Sequence, residues 1–182
     1  MRRARITVLG GGSWGTSVAS ISSRRGTCTL WARDSAVVDE INAEHRNSRF
    51  LPDARLPSRL TATTDLAAAV SAAEVLVVGI PSQSFRDVLI DCREAVPAGI
   101  PVISLTKGLE QGTVMRMTEV ITEVMPGHPA GVLTGPNLAR EVIAGYAAAR
   151  DLDMHDQQVV RHLQRYFHSR RFRVYTHQDE VG

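Results

Sequence analysis

Cysteine is scarce in this chain of 182 residues, which contains only Cys28 and Cys92. One lies in a predicted strand and the other in a predicted helix, and their separation fits no metal-binding motif. The six histidines also lack an H-x-x-x-H or related spacing. The sequence therefore predicts no metal site, and we expect both thiols to be buried in a protein of a reducing compartment.

Long apolar runs and a strong excess of charge are absent too. No run approaches the roughly 20 residues that span a bilayer. The apolar stretch that follows the basic start, Ile6–Leu9, is too short for a signal peptide. The formal net charge of +2 is too small to favour a nucleic-acid or membrane partner. We therefore expect a cytoplasmic protein without such partners.

Lysine is the rarest charged residue, because only Lys107 among the 21 basic residues is a lysine. Any lysine chemistry within this chain must use Lys107. It lies beside Gly108 in a loop that follows a predicted strand, Pro101–Leu105. From the carboxyl end of a strand its ammonium group could neutralise a substrate phosphate or a developing oxyanion.

Short β-branched runs alternate with helical segments along the whole chain. Residues 75–78 form a continuous apolar run, which is typical of a strand covered on both faces. Repeated units of this kind predict an α/β fold of the Rossmann-like, doubly wound type, with a mostly parallel sheet and helices on both faces. The predicted domain takes in residues 1–182. The predicted strands are Arg5–Leu9, Thr27–Ala32, Leu60–Ala62, Glu74–Gly79, Pro101–Leu105, Gly131–Thr134 and Phe172–Tyr175.

Ligands of such sheets bind beyond the carboxyl ends of the strands. This rule selects four loops, which are Gly10–Gly15, Ala32–Asp34, Gly79–Ser84 and Leu105–Gly112. Ser35 and Ser82 are predicted to cap the helices that follow two of these loops.

The first loop carries the pattern G-x-G-x-x-G between a predicted strand and a predicted helix. In this context Gly10 would permit a tight turn, Gly12 would let a pyrophosphate approach the backbone, and Gly15 would let helix and strand pack closely. Ser13 and Trp14 lie where the first backbone amides of the helix would meet the phosphates. The glycines alone also fit a methyltransferase.

The end of the second predicted strand bears on the choice of cofactor. Sites for NAD usually place an acid there for the ribose hydroxyls, whereas an arginine accommodates the 2′-phosphate of NADP. Arg33 holds that position and Asp34 follows it. The sequence therefore favours NADP, with NAD left open.

A further loop, Gly135-Pro136-Asn137, follows the predicted strand Gly131–Thr134. Gly135 permits close approach of a ligand, and Pro136 and Asn137 suit the start of a helix. By itself this pattern predicts only a helix start facing the same cleft.

Taken together, these segments resemble the bacterial NAD(P)-dependent glycerol-3-phosphate dehydrogenase family. The resemblance covers essentially the whole chain, and its segments occur in family order. The matching segments are Gly10–Thr16, Leu30–Arg33, Asn47–Pro52, Thr106–Glu110 and Gly135–Glu141.

The resemblance implies reversible reduction of dihydroxyacetone phosphate to sn-glycerol 3-phosphate, a precursor of phospholipids, with NADPH or NADH as cofactor. It places Phe50, where the family usually has tyrosine, and Ala139 at the cofactor, and Gly135 and Asn137 at the substrate. The family more often has serine or threonine at position 137. The resemblance also implies that Ser13, Trp14 and Arg33 line the cofactor site, and that Lys107 contacts both cofactor and substrate.

The chain departs from the family in two further respects, its length and the charge of one segment. Family members have roughly 320–350 residues, and their helical second domain carries the general-acid lysine, which the resemblance implies would lie beyond Gly182. We therefore expect this chain to be the cofactor-binding half, which alone turns over poorly or not at all. Charged residues also stand in 149–153, where the family is apolar, so we expect that strand to be disturbed.

Two other functions remain open at this point. One is another Rossmann dehydrogenase of the hydroxyacid or ketopantoate reductase type, against which the Thr106–Gly108 segment argues. The other is a non-catalytic dinucleotide-binding module, which the chain length favours but the Lys107 and Gly135 loops do not. A homodimer is also left open.

Overall fold

The computed structural model of the chain describes residues 4–135 and 138–177. Within these residues the strands form one sheet of eight strands, in the order β3-β2-β1-β4-β5-β6-β7-β8. The strands are β1 Arg5–Leu9, β2 Thr27–Trp31, β3 Leu60–Thr63, β4 Val75–Val78, β5 Val102–Ser104, β6 Ala130–Thr134, β7 Ala148–Met154 and β8 Phe172–His177.

Helices connect most of these strands. They are α1 Ser13–Ser23, α2 Ser35–Glu44, α3 Leu66–Val70, α4 Phe85–Cys92, α5 Met117–Val124, α6 Ala139–Ala144 and α7 Gln157–Phe167, with 3₁₀ turns at Ser82–Ser84 and Arg93–Ala95. The first six strands are parallel, β7 runs antiparallel to β6, and β8 is parallel to β7. This arrangement confirms the predicted mostly parallel sheet.

The sheet separates two apolar cores. Val75 and Val77 of β4 belong to one core, while Leu76 and Val78 belong to the other. Successive side chains of a strand point to opposite faces, so a run without polar residues requires cover on both sides. Helices α1 and α7 contribute to the first core, and α4 and α5 to the second. The doubly wound prediction is therefore confirmed.

Both cysteines are buried and unbridged, as expected. Burial raises the pKa of the Cys92 thiol to about 11 and raises that of Cys28 further. Both therefore remain protonated at neutral pH and act as small core residues.

The expectation of a disturbed strand at residues 149–153 is wrong. Strand β7 pairs in regular register with both β6 and β8. Its charged residues Arg150 and Asp153 are only 2% and 3% exposed. Arg150 donates a hydrogen bond to the Gly135 carbonyl oxygen, and its guanidinium carbon lies 4.2 Å from the centroid of the Trp14 ring. Contacts made by the folded chain thus accommodate the buried guanidinium.

Candidate dinucleotide-binding site

The loops that follow β1 and β4 meet where the strand order changes direction. Chain connections from β1 lead outward to β2 and β3, whereas β4 lies on the other side of β1. Gly10 follows β1 and donates to the Trp31 carbonyl at 2.9 Å, and Gly79 follows β4 and donates to the Leu9 carbonyl at 2.7 Å. Open α/β sheets bind their ligands in the crevice at this kind of position.

The three glycines of the first loop have different surroundings. Gly10 has a φ of +120°, and a Cβ built there would overlap the Gly79 carbonyl oxygen. A Cβ at Gly15 would overlap the Gly10 carbonyl oxygen. A Cβ at Gly12, in contrast, would meet nothing within 4 Å. The fold therefore requires glycine at positions 10 and 15, while Gly12 faces open space.

Gly12 also stands at the N-cap of α1, where no side-chain hydrogen bond caps the helix. The first-turn amides are thus not capped by a side chain, and Ser13 and Trp14 begin the helix at half-buried positions. Such a terminus carries a partial positive charge and N–H donors that suit an anion. Beside it lies a cleft of about 320 Å³, which is within the range of small-molecule sites.

A side chain from outside the glycine loop fixes the loop's conformation. Asn47 is fully buried, and its Nδ2 donates to the Gly11 carbonyl and to the Thr16 hydroxyl, both at 2.9 Å. The Thr16 hydroxyl in turn donates to the Gly11 carbonyl at 3.2 Å. The role of Asn47 was not predicted, although Asn47 begins one of the segments that resemble the family.

The far end of the cleft contains two arginines. Arg33 and Arg49 both line it, together with Phe50. The Asp34 carboxylate accepts from the Ala36 amide at 3.0 Å and from Arg49 at 2.6 Å. Asp34, and not Ser35 as predicted, therefore caps α2. Arg49, which sequence reasoning missed, stacks with its guanidinium carbon 5.4 Å from the centroid of the Phe50 ring.

The loop that carries Lys107 is fixed at both ends. The Thr106 hydroxyl donates to the Ile80 carbonyl at 2.7 Å. At the other end, Arg86 of α4 makes two parallel hydrogen bonds to Glu110, at 2.8 and 2.9 Å. Between these anchors the side chain of Lys107 is exposed. Ser82, which was predicted to cap the next helix, instead begins a 3₁₀ turn after Pro81.

Further hydrogen bonds and charges stabilise the contact between Arg86 and Glu110. Arg86 also donates to Glu123 at 2.9 Å, and Glu110 accepts a hydrogen bond from the Thr113 hydroxyl. The hydrogen bonds from Arg86, and then that from Thr113, lower the pKa of Glu110 to about 2. The same contacts raise the pKa of Arg86, so both groups are charged at neutral pH.

The structure brings some predicted site residues together and leaves others apart. Gly10, Gly12, Arg33 and Phe50 line the same cleft, whereas Gly15 is buried and does not line it. Trp14 and Gly135 are joined through Arg150, and the Ala139 carbonyl accepts from the Ser17 hydroxyl of α1 at 3.2 Å. Lys107 follows β5 on the same edge of the sheet but does not line the cleft.

Two of the sequence-based predictions concern positions that the structure does not describe. Asn137, predicted to contact the substrate, lies outside the described residues. So does Gly182, beyond which the general-acid lysine is expected. Both therefore stay predictions, and Lys107 is the predicted catalytic residue that the structure places.

Metal-binding clusters and membrane-spanning helices are both absent from the part of the chain that the structure describes. Residues 4–135 and 138–177 contain no group of three or more His, Cys, Asp or Glu side chains that could hold a metal ion. None of the helices in these ranges is long and apolar enough to cross a membrane.

Comparison with known proteins shows the family to which this chain belongs. The family described as NAD-dependent glycerol-3-phosphate dehydrogenase N-terminus matches residues 5–160. The chain belongs to this family.

Relatives of the dehydrogenase family are similar over the whole chain. Glycerol-3-phosphate dehydrogenase (NAD(P)+) 2 of Sphingopyxis alaskensis is 55% identical over 180 residues, covering 99% of this chain and 54% of the relative. Glycerol-3-phosphate dehydrogenase (NAD(P)+) 1 of Mycobacterium tuberculosis is 53% identical, covering 100% of this chain and 53% of the relative. The chain thus spans about half the length of these curated relatives.

Solved structures inside and outside the dehydrogenase family have the same fold. The crystal structure of glycerol-3-phosphate dehydrogenase from Coxiella burnetii superposes with a TM-score of 0.91 at 34% identity, covering 97% of this chain and 55% of that one. A ketopantoate reductase from Ralstonia eutropha superposes with a TM-score of 0.71 at 15% identity, covering 96% and 57%. The second likeness shows the fold alone.

Proposed function

We propose that the chain is the dinucleotide-binding half of an enzyme that reduces dihydroxyacetone phosphate reversibly to sn-glycerol 3-phosphate with NAD(P)H. The observation that carries the proposal is the uncapped start of α1 at the strand-order change, beside a cleft with two arginines. Membership of the dehydrogenase family supports the choice of substrate. We expect the enzyme in the cytoplasm, making a precursor of phospholipids.

The residues present fit a dinucleotide. Gly12 leaves the space that a pyrophosphate needs, because a side-chain atom there would meet nothing, and the first amides of α1 would bind its oxygens. Phe50 and Arg49 present a stacked pair at the far end of the cleft. When bound, the reduced nicotinamide would supply a hydride to the ketone carbon of the substrate.

The arginines favour NADPH over NADH. A ribose hydroxyl in an NAD site needs an acidic acceptor, and both oxygens of the Asp34 carboxylate already accept one hydrogen bond, from the Ala36 amide and from Arg49, which leaves fewer lone pairs for a ribose. Arg33 is exposed beside it and offers a planar set of donors that suits a 2′-phosphate. We therefore expect Arg33 to bind that phosphate, with Arg49 adjacent.

Lys107, Gly135 and Asn137 are proposed to face the substrate. The ammonium group of Lys107 would stabilise negative charge on the ketone oxygen as the hydride arrives, and its loop is held in place by Thr106 and Glu110. A general acid must then protonate that oxygen, and we expect the second half of the enzyme to supply it. The chain alone should therefore bind cofactor without efficient turnover.

A chimaera tests this proposal. Residues 1–182 would be joined to the second half of the Sphingopyxis alaskensis relative, which is 55% identical over the matched half. We expect NADPH oxidation with dihydroxyacetone phosphate in the chimaera but not in the chain alone, although both bind NADPH in a fluorescence titration. Lys107→Ala should lower kcat/KM at least a hundredfold, while Arg59→Ala, which also removes one exposed cation, should not.

Other results would contradict the proposal in distinguishable ways. If the chain bound neither NADPH nor NADH, the dinucleotide site itself would be wrong. If a monodisperse chimaera bound NADPH but reduced ketopantoate and not dihydroxyacetone phosphate, the substrate would be wrong. If it bound NADPH and reduced neither, while the intact relative was active, the chain would be a non-catalytic binding module.

A further inference from the structure

A second groove, of about 350 Å³, lies at the opposite end of α1 from the dinucleotide cleft. It is bordered by the carboxyl ends of α1 and α6 and by the turn that leads into β8. Because α1 has 11 residues, its two ends are about 16 Å apart. The groove is therefore separate from the cleft beside Gly12, and the proposed reaction does not use it.

Four guanidinium groups line this groove, and none of the acidic side chains in residues 4–135 and 138–177 does. They belong to Arg24, Arg25, Arg170 and Arg171. None of the four forms an ion pair with another residue of the described ranges, and Arg171 makes only a long contact, 3.5 Å, with the Gly145 carbonyl. Arginines elsewhere on the surface do pair with acids, for example Arg93 with Glu94 at 3.3 Å.

The simplest explanation for these arginines is that they compensate the dipoles of two helices. The charge of those helix ends is too small to account for four arginines. The carboxyl end of a helix carries roughly half a negative charge. The ends of α1 and α6 therefore offset about one of the four positive charges, and α6 is short. About three positive charges remain around one concavity, and although the four arginines are exposed to solvent, their shared sign favours an anion there.

The walls of the groove add a second kind of contact. Ile143 and Phe172 supply apolar surface, and Tyr146, a residue that is 68% exposed, also lines the groove. An exposed ring beside guanidinium groups can stack on a planar base, while arginines bind phosphate oxygens through paired hydrogen bonds. A concave groove of this volume fits a small molecule better than a flat membrane surface.

We propose that this groove binds a nucleoside di- or triphosphate, with its phosphates on the four arginines and its base on Tyr146. The site is independent of the dinucleotide cleft. Occupancy of the groove by such a ligand would stabilise the fold through the ends of α1 and α6, which the ligand would bridge.

Calorimetry on the whole chain, in phosphate-free buffer and with NADPH present at saturation, tests the proposal. We expect adenosine triphosphate and inorganic pyrophosphate to bind, the former more tightly. The double variant Arg24→Gln/Arg171→Gln should weaken the binding of both compounds at least tenfold. The double variant Arg25→Gln/Arg170→Gln should do the same, so that the test still stands if one of the two variants misfolds. Arg59→Gln/Arg161→Gln removes the same charge elsewhere and should bind both as the unsubstituted chain does.

The role of Tyr146 is separable from that of the arginines. Tyr146→Ala should weaken adenosine triphosphate severalfold and leave pyrophosphate unchanged. The proposal is overturned if neither compound binds at millimolar concentration, if both double variants bind normally, or if the control variant loses as much affinity. It is overturned equally if saturating NADPH, bound at one site per chain, abolishes the binding that is seen without NADPH, because the anion would then occupy the dinucleotide cleft. Unchanged binding of adenosine triphosphate to Tyr146→Ala would refute the base contact.

Discussion

The amide nitrogen of the Asn47 side chain lies 2.9 Å from the carbonyl oxygen of Gly11 and donates a hydrogen bond to it. This bond joins the loop after α2 to the turn that begins the proposed phosphate site. Since the same nitrogen also donates to the Thr16 hydroxyl, one buried amide holds both the loop and the first turn of α1. The amides proposed to bind the pyrophosphate therefore depend on Asn47, which is expected to touch no ligand.

Replacement of Asn47 by alanine should lower both stability and cofactor affinity. It removes two buried hydrogen bonds, to the Gly11 carbonyl and to the Thr16 hydroxyl, each of which typically contributes about 0.5–1.5 kcal/mol. Denaturant unfolding and NADPH titration would measure the two effects. Asn42→Ala is the matched control, because Asn42 makes two comparable bonds to Ala62 of β3. It should lower stability alone, and an equal loss of NADPH affinity in both variants would contradict the role given to Asn47.

The glycines of the first loop should separate folding from binding. Gly12→Ala adds a methyl group into open space, so the unfolding midpoint should fall only slightly, as for the loss of a favourable N-cap residue, while NADPH affinity falls at least tenfold. Gly15→Ala places a methyl group against the Gly10 carbonyl, where there is no room for it, so this variant should be strongly destabilised. Thermal unfolding and a binding titration on each variant test the contrast. Normal NADPH affinity in a folded Gly12→Ala variant would mean that no pyrophosphate approaches this position.

The parts of the fold that could be predicted are those whose conformation is determined by residues close together in the sequence. The apolar run 75–78 predicts a strand covered on both faces by itself, and the spacing of Gly10, Gly12 and Gly15 predicts the turn between β1 and α1. Strand β7 could not be predicted in this way. Its charged residues are atypical of a buried strand. Only in the folded chain do Trp14 and Gly135 contact Arg150 and accommodate its charge.

The site shows the same division between local and distant information. Arg33 could be placed from its position at the end of a strand. Arg49 and Asn47 could not, because their roles arise from contacts 15 and 36 residues away along the chain. The sequence could not distinguish Asp34 from Ser35 as the N-cap of α2, because the two residues are adjacent and both residue types cap helices well.

Removal of the Arg33 guanidinium should change cofactor selectivity more than cofactor binding in general. We expect Arg33→Ala to weaken NADPH by about ten- to a hundredfold, as for the loss of a hydrogen bond to a charged group, and to change NADH affinity little. Fluorescence titrations with both cofactors measure the ratio. Arg55→Ala, which removes an exposed arginine that does not line the cleft, serves as the control. Equal weakening of both cofactors by Arg33→Ala would show that Arg33 does not bind the 2′-phosphate.

Glu110 should make the stability of the chain sensitive to acid. Its pKa is about 2 in the folded chain, against an ordinary value of 4.5. Because the folded-state pKa is the lower one, the carboxylate stabilises the fold fully above about pH 4.5, and this contribution is lost as the pH falls towards 2. Denaturant unfolding at pH 5.5 and at pH 3 would measure the loss.

Glu110→Gln should remove this part of the acid sensitivity. The variant should be less stable than the unsubstituted chain at pH 5.5, because glutamine cannot form the charged pair with Arg86, and the difference should shrink at pH 3. Glu44→Gln is the control, since Glu44 forms no ion pair with the part of the chain that the structure describes. If Glu110→Gln and Glu44→Gln respond to pH alike, the Arg86 pair does not anchor the loop that carries Lys107.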